Sequence, residues 1–249
     1  MRIVMAIALM AMASPVCADQ VTDLIAGTIK ECRGCDLQGA NFKKADLAGV
    51  DLTGANLTDA TFHRADLRGA ILTGVTAIGA NFNLADLTSA QMAEGDFTRS
   101  MFYSAQVSGA DLSGANLSEA RMQKVRLTSA KLVGAVLDRA VIRGAVGNNA
   151  DFSNTSMTET NMIEAHVSRS SFAGAVIYNS AFIDAKAGST SFASATISLT
   201  DFYGADLRRA KFTGATLDGN RFTSAATADV DFDSATMTGN FMADGRPQD

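Results

Sequence analysis

Ala45-Asp46-Leu47-Ala48-Gly49, Val50-Asp51-Leu52-Thr53-Gly54, Ala55-Asn56-Leu57-Thr58-Asp59: three consecutive five-residue units repeat one pattern of small, polar, large apolar and two turn-type residues. Outward from this stretch the register holds without insertion, with central slots Leu37, Phe42, Leu47 and onward to Met242. From Phe42 a small residue sits two places before most of them, as at Ala40, Ala45, Val50, Ala60, Ala65 and Ala70. The first three positions suit a short extended segment pointing in, out and in, and the last two suit a tight corner, with glycine at Gly39, Gly49, Gly54, Gly69, Gly74, Gly109 and Gly114. An α-helix would advance about 500° per repeat and spread the apolar slots over every face, so the helical reading fails.

The phenylalanines count the sides of the coil. Phe42, Phe62, Phe82 and Phe102 recur every twenty residues and resume at Phe182, Phe202 and Phe222, while Phe152, Phe172, Phe192, Phe212 and Phe232 form a second column. Four sides per coil follow, with rings stacked between coils and the two columns on opposite walls. Where both walls carry Phe, a third wall carries a small residue, Ala187 or Thr227, as a close-packed interior requires. At about 4.8 Å per coil, roughly ten coils would make a rod roughly 50 Å long.

The sequence resembles the pentapeptide-repeat family, whose A-[DN]-L-x-x unit recurs in Ala45-Asp46-Leu47, Ala55-Asn56-Leu57, Ala65-Asp66-Leu67, Ala85-Asp86-Leu87, Ala110-Asp111-Leu112, Ala115-Asn116-Leu117 and Ala205-Asp206-Leu207. The resemblance implies an all-β, right-handed quadrilateral β-helix over residues 35–242, with about ten coils. Departures stand at central slots Ala77, Gly147, Ala187 and Thr227 and at small slots Thr155, Thr160, Asn220 and Asn240, where packing is expected to change and the chain path is not.

The ends of the chain indicate where it works. Met1-Arg2 and an apolar run from Ile3 to Ala13, with Val16-Cys17-Ala18 before Asp19, read as an export signal over residues 1–18, too short to span a bilayer. Val16 disfavours a lipid anchor at Cys17. Residues 19–34 are expected to form a short helical cap, with Val21, Leu24, Ile25 and Ile29 on its covering face and Thr22 at its start. Cys32 and Cys35 are a candidate disulfide of structural rather than redox character. Residues 243–249 form a polar tail that leaves the last coil near Phe241 and Met242 uncovered, from which a weak homodimer by end-to-end stacking is expected. The expected location is the periplasm, with secretion or a thylakoid lumen as alternatives.

The charge balance disfavours nucleic acid and anionic membranes, since the chain carries 21 basic and 26 acidic residues. No cofactor, metal site or catalytic residue is expected, and no membrane span after signal cleavage. His63 and His166 sit about five coils apart on the outside, too far to share a proton or a metal, and no nucleophile elbow or phosphate loop occurs. Asp46, Asp66 and Asp86 stack on one outer wall, Asp201 and Asp206 lie farther along, and Arg121, Lys124, Arg126 and Lys131 interrupt them; all read as solvated faces. The candidate interaction strip is Met101, Tyr103, Val141, Ile163, Ile183 and Tyr203. These readings point to a noncatalytic structural or protein-interaction rod of the bacterial envelope, whose partner would be an unknown envelope protein. The first alternative is a DNA-mimicking, gyrase-binding protein that protects against fluoroquinolones. A third reading, an ice- or glycan-binding solenoid, wants regular threonine columns, and the one begun by Thr53 and Thr73 is broken by Ala93, Ser113 and Val133.

Overall fold

The computed structural model describes residues 15–248. Of the stretch read as an export signal over residues 1–18, residues 1–14 lie outside the described residues. From Glu31 to Phe241 the chain is one parallel β-solenoid, with every parallel pair joining residues twenty positions apart, as in Glu31↔Asp51, Asp46↔Asp66 and Arg221↔Phe241. At twenty residues per turn this stretch makes about ten turns. The ladder begins at Glu31, inside the stretch read from sequence as the end of the cap.

The five-residue unit is explained by where its five backbone N–H groups go. In the unit Val50–Gly54, Asp51 N–H reaches down to Lys30 O, whereas Leu52 and Gly54 N–H reach up to Ile71 O and Thr73 O. The next residue, Ala55, closes the turn on Leu52 O at 2.9 Å. The remaining N–H, on Thr53, goes to Asp51 Oδ1 at 2.9 Å. The same side-chain bond serves Lys43, Thr58, Thr88, Thr98, Ser113 and Ser118, so Asp or Asn in the polar slot completes the unit rather than merely solvating it. The corner position takes a positive φ, about 66° at Gly49 and Gly54 and 59° even at Arg64.

Inside, the central and small slots are buried almost throughout, and the phenylalanines stack coil on coil: Phe62 and Phe82 have centroids 5.0 Å apart, Phe192 and Phe212 4.8 Å. The two columns meet across the axis edge to face, Phe182 against Phe192 at 6.2 Å, because Ala187 between them leaves the room. Phe97 belongs to neither column, yet it is fully buried and meets Phe82 and Phe102 edge on. It fits because Gly95 stands two places earlier, where a Cβ would lie 2.5 Å from the ring, and because Ala77 lies one coil away on the same wall.

One wall departs from the rest. There the tight turns give way to three-residue strands, β1 (Ser156–Thr158), β2 (Val176–Tyr178), β3 (Thr196–Ser198), β4 (Thr216–Asp218) and β5 (Thr236–Thr238), paired parallel in that order over about four turns. The polar small slots that follow, Thr160, Ser180, Thr200, Asn220 and Asn240, are buried. They change the local backbone of this wall from turn to strand, while the chain keeps its twenty-residue register. Their side chains take over bonds that the turns make elsewhere: Ser180 Oγ donates to Met157 O at 2.7 Å and accepts Thr160 N–H at 3.0 Å.

Both ends differ from the sequence reading in detail. Helix α1 runs Pro15–Ala26, so Thr22 lies inside it and is not its first residue. Pro15 suits a first helical position, and the end is closed by Gly27 at φ 70°, with Thr28 N–H on Asp23 O and Gly27 N–H on Leu24 O. Leu24 is buried against the first coil with Val21 and Ile29 beside it, but Ile25 points away and is 47% exposed. At the other end the tail is not idle. Phe241 bridges Pro247 antiparallel, Met242 N–H reaches Arg246 O, and Gln248 bonds Asn240 through both backbone and side chain. One wall of the last coil is thereby covered, while Phe232 and Met237 stay half-buried and Phe241 is 48% exposed.

Candidate interaction surface

Cys32 fills the first central slot and Cys35 the following small slot, and the two form a disulfide with Cα atoms 5.4 Å apart. The bond locks the corner where α1 hands over to the first coil. Beside it Arg33 pairs with Asp51 at 2.7 Å.

The histidines remain on the outside, His63 half-buried and His166 exposed. Among the described residues, no three His, Cys, Asp or Glu side chains gather as a metal site would require. Among the same residues, no helix is long and apolar enough to cross a membrane.

The acidic column is real, since Asp46, Asp66 and Asp86 pair in succession. Its charge is largely answered locally. Arg68 holds Asp66 through Nε and Nη2 and reaches toward Asp86, Arg208 grips Asp206, and Arg221 grips Asp201. The Arg68 guanidinium keeps the Asp66 carboxyl below the usual range, and Arg208 does the same for Asp206. A continuous negative face of the kind a DNA mimic presents is therefore broken by arginines seated within it.

The six strip residues share one wall but not one continuous surface. Ile163, Ile183 and Tyr203 follow one another coil by coil, whereas Tyr103 is separated from them by Gln123 and Arg143, and Met101 from Val141 by Arg121. Arg143 is held by Glu164, and Arg221 lies over the Tyr203 ring at 4.9 Å. Met101 and Tyr103 line a shallow hollow of about 360 Å³ with Asn83, Arg121 and Gln123. Of the six, Tyr103 and Tyr203 are exposed and the other four are half-buried.

A second apolar group, which the sequence reading missed, sits on the strand-bearing wall. Val176 and Tyr178 flank the buried Ile177 on β2, and Leu199 follows β3 one coil on; they are 53%, 46% and 53% exposed. Around them lie Thr158, Thr196, Ser198 and Thr216. The signal was present as Val176-Ile177-Tyr178, the one unit in which both residues flanking the central slot of β1–β5 are large and apolar. The column of the first strand residue carries threonine at β3 to β5, Thr196, Thr216 and Thr236, whereas the other reads Ser198, Asp218 and Thr238.

A sequence profile of the family described as Pentapeptide repeats matches the chain in eight copies, over residues 35–74, 80–119, 120–158, 150–186 and 200–239. No match was found among curated proteins. Among solved structures the chain is similar to HetL, a pentapeptide repeat protein involved in heterocyst differentiation regulation in the cyanobacterium Nostoc sp. strain PCC 7120, at 22% identity over 92% of this chain and 98% of that one, with a TM-score of 0.47. It is also similar to Rfr23 of the cyanobacterium Cyanothece 51142, at 27% identity over 47% of this chain and 92% of that one, TM-score 0.42. A third similarity is to QnrB1, a plasmid-mediated fluoroquinolone resistance protein, at 20% identity over 83% and 93%, TM-score 0.38. With the repeat profile matched over most of the solenoid and every matched unit closing on the twenty-residue ladder, this chain belongs to the pentapeptide-repeat family.

Proposed function

We propose that this protein is a noncatalytic interaction rod of the bacterial cell envelope, and that its protein partner docks on the strand-bearing wall. The observation that carries the reading is the exposed trio Val176, Tyr178 and Leu199 on the one wall whose backbone is extended. Aromatic and aliphatic side chains held on a rigid sheet supply contact area at little entropic cost, which is what interface anchors do. The noncatalytic part is supported by the architecture: among the described residues unit follows unit without an inserted loop that could carry catalytic groups over the coils. The envelope is supported by the charged start and apolar run of residues 1–13 and by the Cys32–Cys35 disulfide, which suits an oxidising compartment.

Affinity capture tests this from separated envelope and cytosolic fractions, with wild type beside the Tyr178→Asp/Leu199→Asp double variant. The expected result is an envelope protein retained by wild type and lost from the variant at unchanged melting temperature. A partner held equally by both would refute the docking wall, and capture of gyrase from the cytosol would overturn compartment and function together.

A further inference from the structure

We propose that the corner around Gly188 binds the phosphate group of a phosphate ester. A cleft of about 190 Å³ opens there, lined by Ser168 and Arg169 from one coil, Gly188 and Ser189 from the next, and Asp206, Arg208 and Arg209 from the coil after. It exists because Gly188 has no side chain at a position filled by Ser168 on one side and Arg208 on the other.

The donors of this cleft come from three levels of the rod. Among the described residues no group accepts Gly188 N–H: the residue two places earlier is Lys186, which offers no acceptor, and the Ser168 hydroxyl donates to Lys186 O instead. Arg209 makes no ion pair or hydrogen bond through its guanidinium among the described residues. Arg169 uses only its Nε, on Asn149 Oδ1 at 3.1 Å, which leaves its two terminal nitrogens for a ligand. Arg208 is clamped by Asp206 and acts as a fixed wall. Three guanidiniums against one carboxylate leave the cleft positive, in a chain whose formal net charge is −5. The Ser189 hydroxyl completes a set of donors that arrive from below (Arg169), beside (Gly188) and above (Arg209). Such a set fits a tetrahedral oxyanion better than a planar carboxylate, and arginine forks match phosphate oxygens in pairs.

The ester is either the headgroup of an anionic lipid or a soluble molecule, and one titration separates them. Isotope-labelled full chain is titrated at constant ionic strength with inorganic phosphate, then glycerol phosphate, then vesicles of phosphatidylcholine with and without phosphatidic acid. Saturable amide shifts are expected at Gly188, Ser189 and Arg169, with affinity reduced about tenfold or more in Arg169→Gln/Arg209→Gln, as loss of two charge-assisted partners implies. Arg64→Gln, the same corner position on another wall, should bind as wild type. Vesicle binding that glycerol phosphate displaces assigns the lipid headgroup, and saturation by soluble phosphates without vesicle binding assigns a soluble ester. Shifts that are unsaturable, spread over all walls or unchanged in the double variant overturn the site, as does vesicle binding that glycerol phosphate does not displace.

Discussion

Asn220 Nδ2 donates to the carbonyl of Ile197 at 2.8 Å across one coil, while its Oδ1 accepts the N–H of Thr200 at 2.9 Å. One side chain thus does for the strand-bearing wall what a turn bond does on the other three. Asn220→Ala is expected to leave both backbone groups buried and unpaired, at about 1–3 kcal/mol for each. Thermal unfolding and faster exchange of the Thr200 amide check it. Unchanged stability would mean that alanine restores the ordinary turn and that the polar ladder does not hold the strand conformation.

Phe192 tests the stacking. It lies between Phe172 at 5.1 Å and Phe212 at 4.8 Å and meets Phe182 and Phe202 edge on. Phe192→Ala should cost about 3–5 kcal/mol through the cavity it opens. Its outward neighbour, Ser191→Ala, should stay within about 0.5 kcal/mol. Denaturant unfolding of the two variants side by side decides, and equal shifts would show the register to be wrong.

Gly95 tests the fit of the one phenylalanine outside the columns. Gly95→Ala places a Cβ 2.5 Å from Phe97 Cε2, so overpacking of about 1–3 kcal/mol is expected. Adding Phe97→Leu should relieve the clash, giving a favourable coupling in a double-mutant cycle. Strict additivity of the two changes would contradict the contact.

Several legible and illegible features divide along one physical line. Anything that repeats, such as the inward slots at Leu47 and Phe62 or the corner at Gly49, is stated many times by the sequence and can be read from it. Asp51 was legible as a repeated type, though its bond to Thr53 N–H was not. Features set by a single neighbour were hidden: Gly95 makes sense only beside Phe97, and Thr160 only beside Ser180 one coil away. The Val176, Tyr178 and Leu199 group was missed because the last two sit at different positions of the unit and meet only when coils stack. The fold-back at Pro247 has no periodic signal at all.

Acid should weaken the fold through carboxylates that are ordered in it. The Thr53 hydroxyl, helped by Thr53 N–H and Arg33, holds the Asp51 carboxyl below its usual range, and Ser113 does the same for Asp111. A carboxyl depressed in the folded chain stabilises it above the unfolded value of about 3.9, and that contribution disappears as pH falls through the lower folded value. Urea midpoints between about pH 2 and 5 should therefore fall with acid, less steeply in Asp51→Asn. An Asp51→Asn slope equal to that of wild type would remove Asp51 from the account.

Both functional proposals depend on the twenty-residue turn, which alone sets Tyr178 beside Leu199 and Gly188 between Ser168 and Arg208. Spin labels at Asn56 and Thr196, on one outer wall and seven turns apart, measure that turn directly by pulsed electron resonance. At about 4.8 Å per turn the backbone separation should be roughly 34 Å, in one narrow distribution once the label arms are allowed for. A separation well short of that, or a broad spread of distances, would contradict the solenoid and both surfaces built on it.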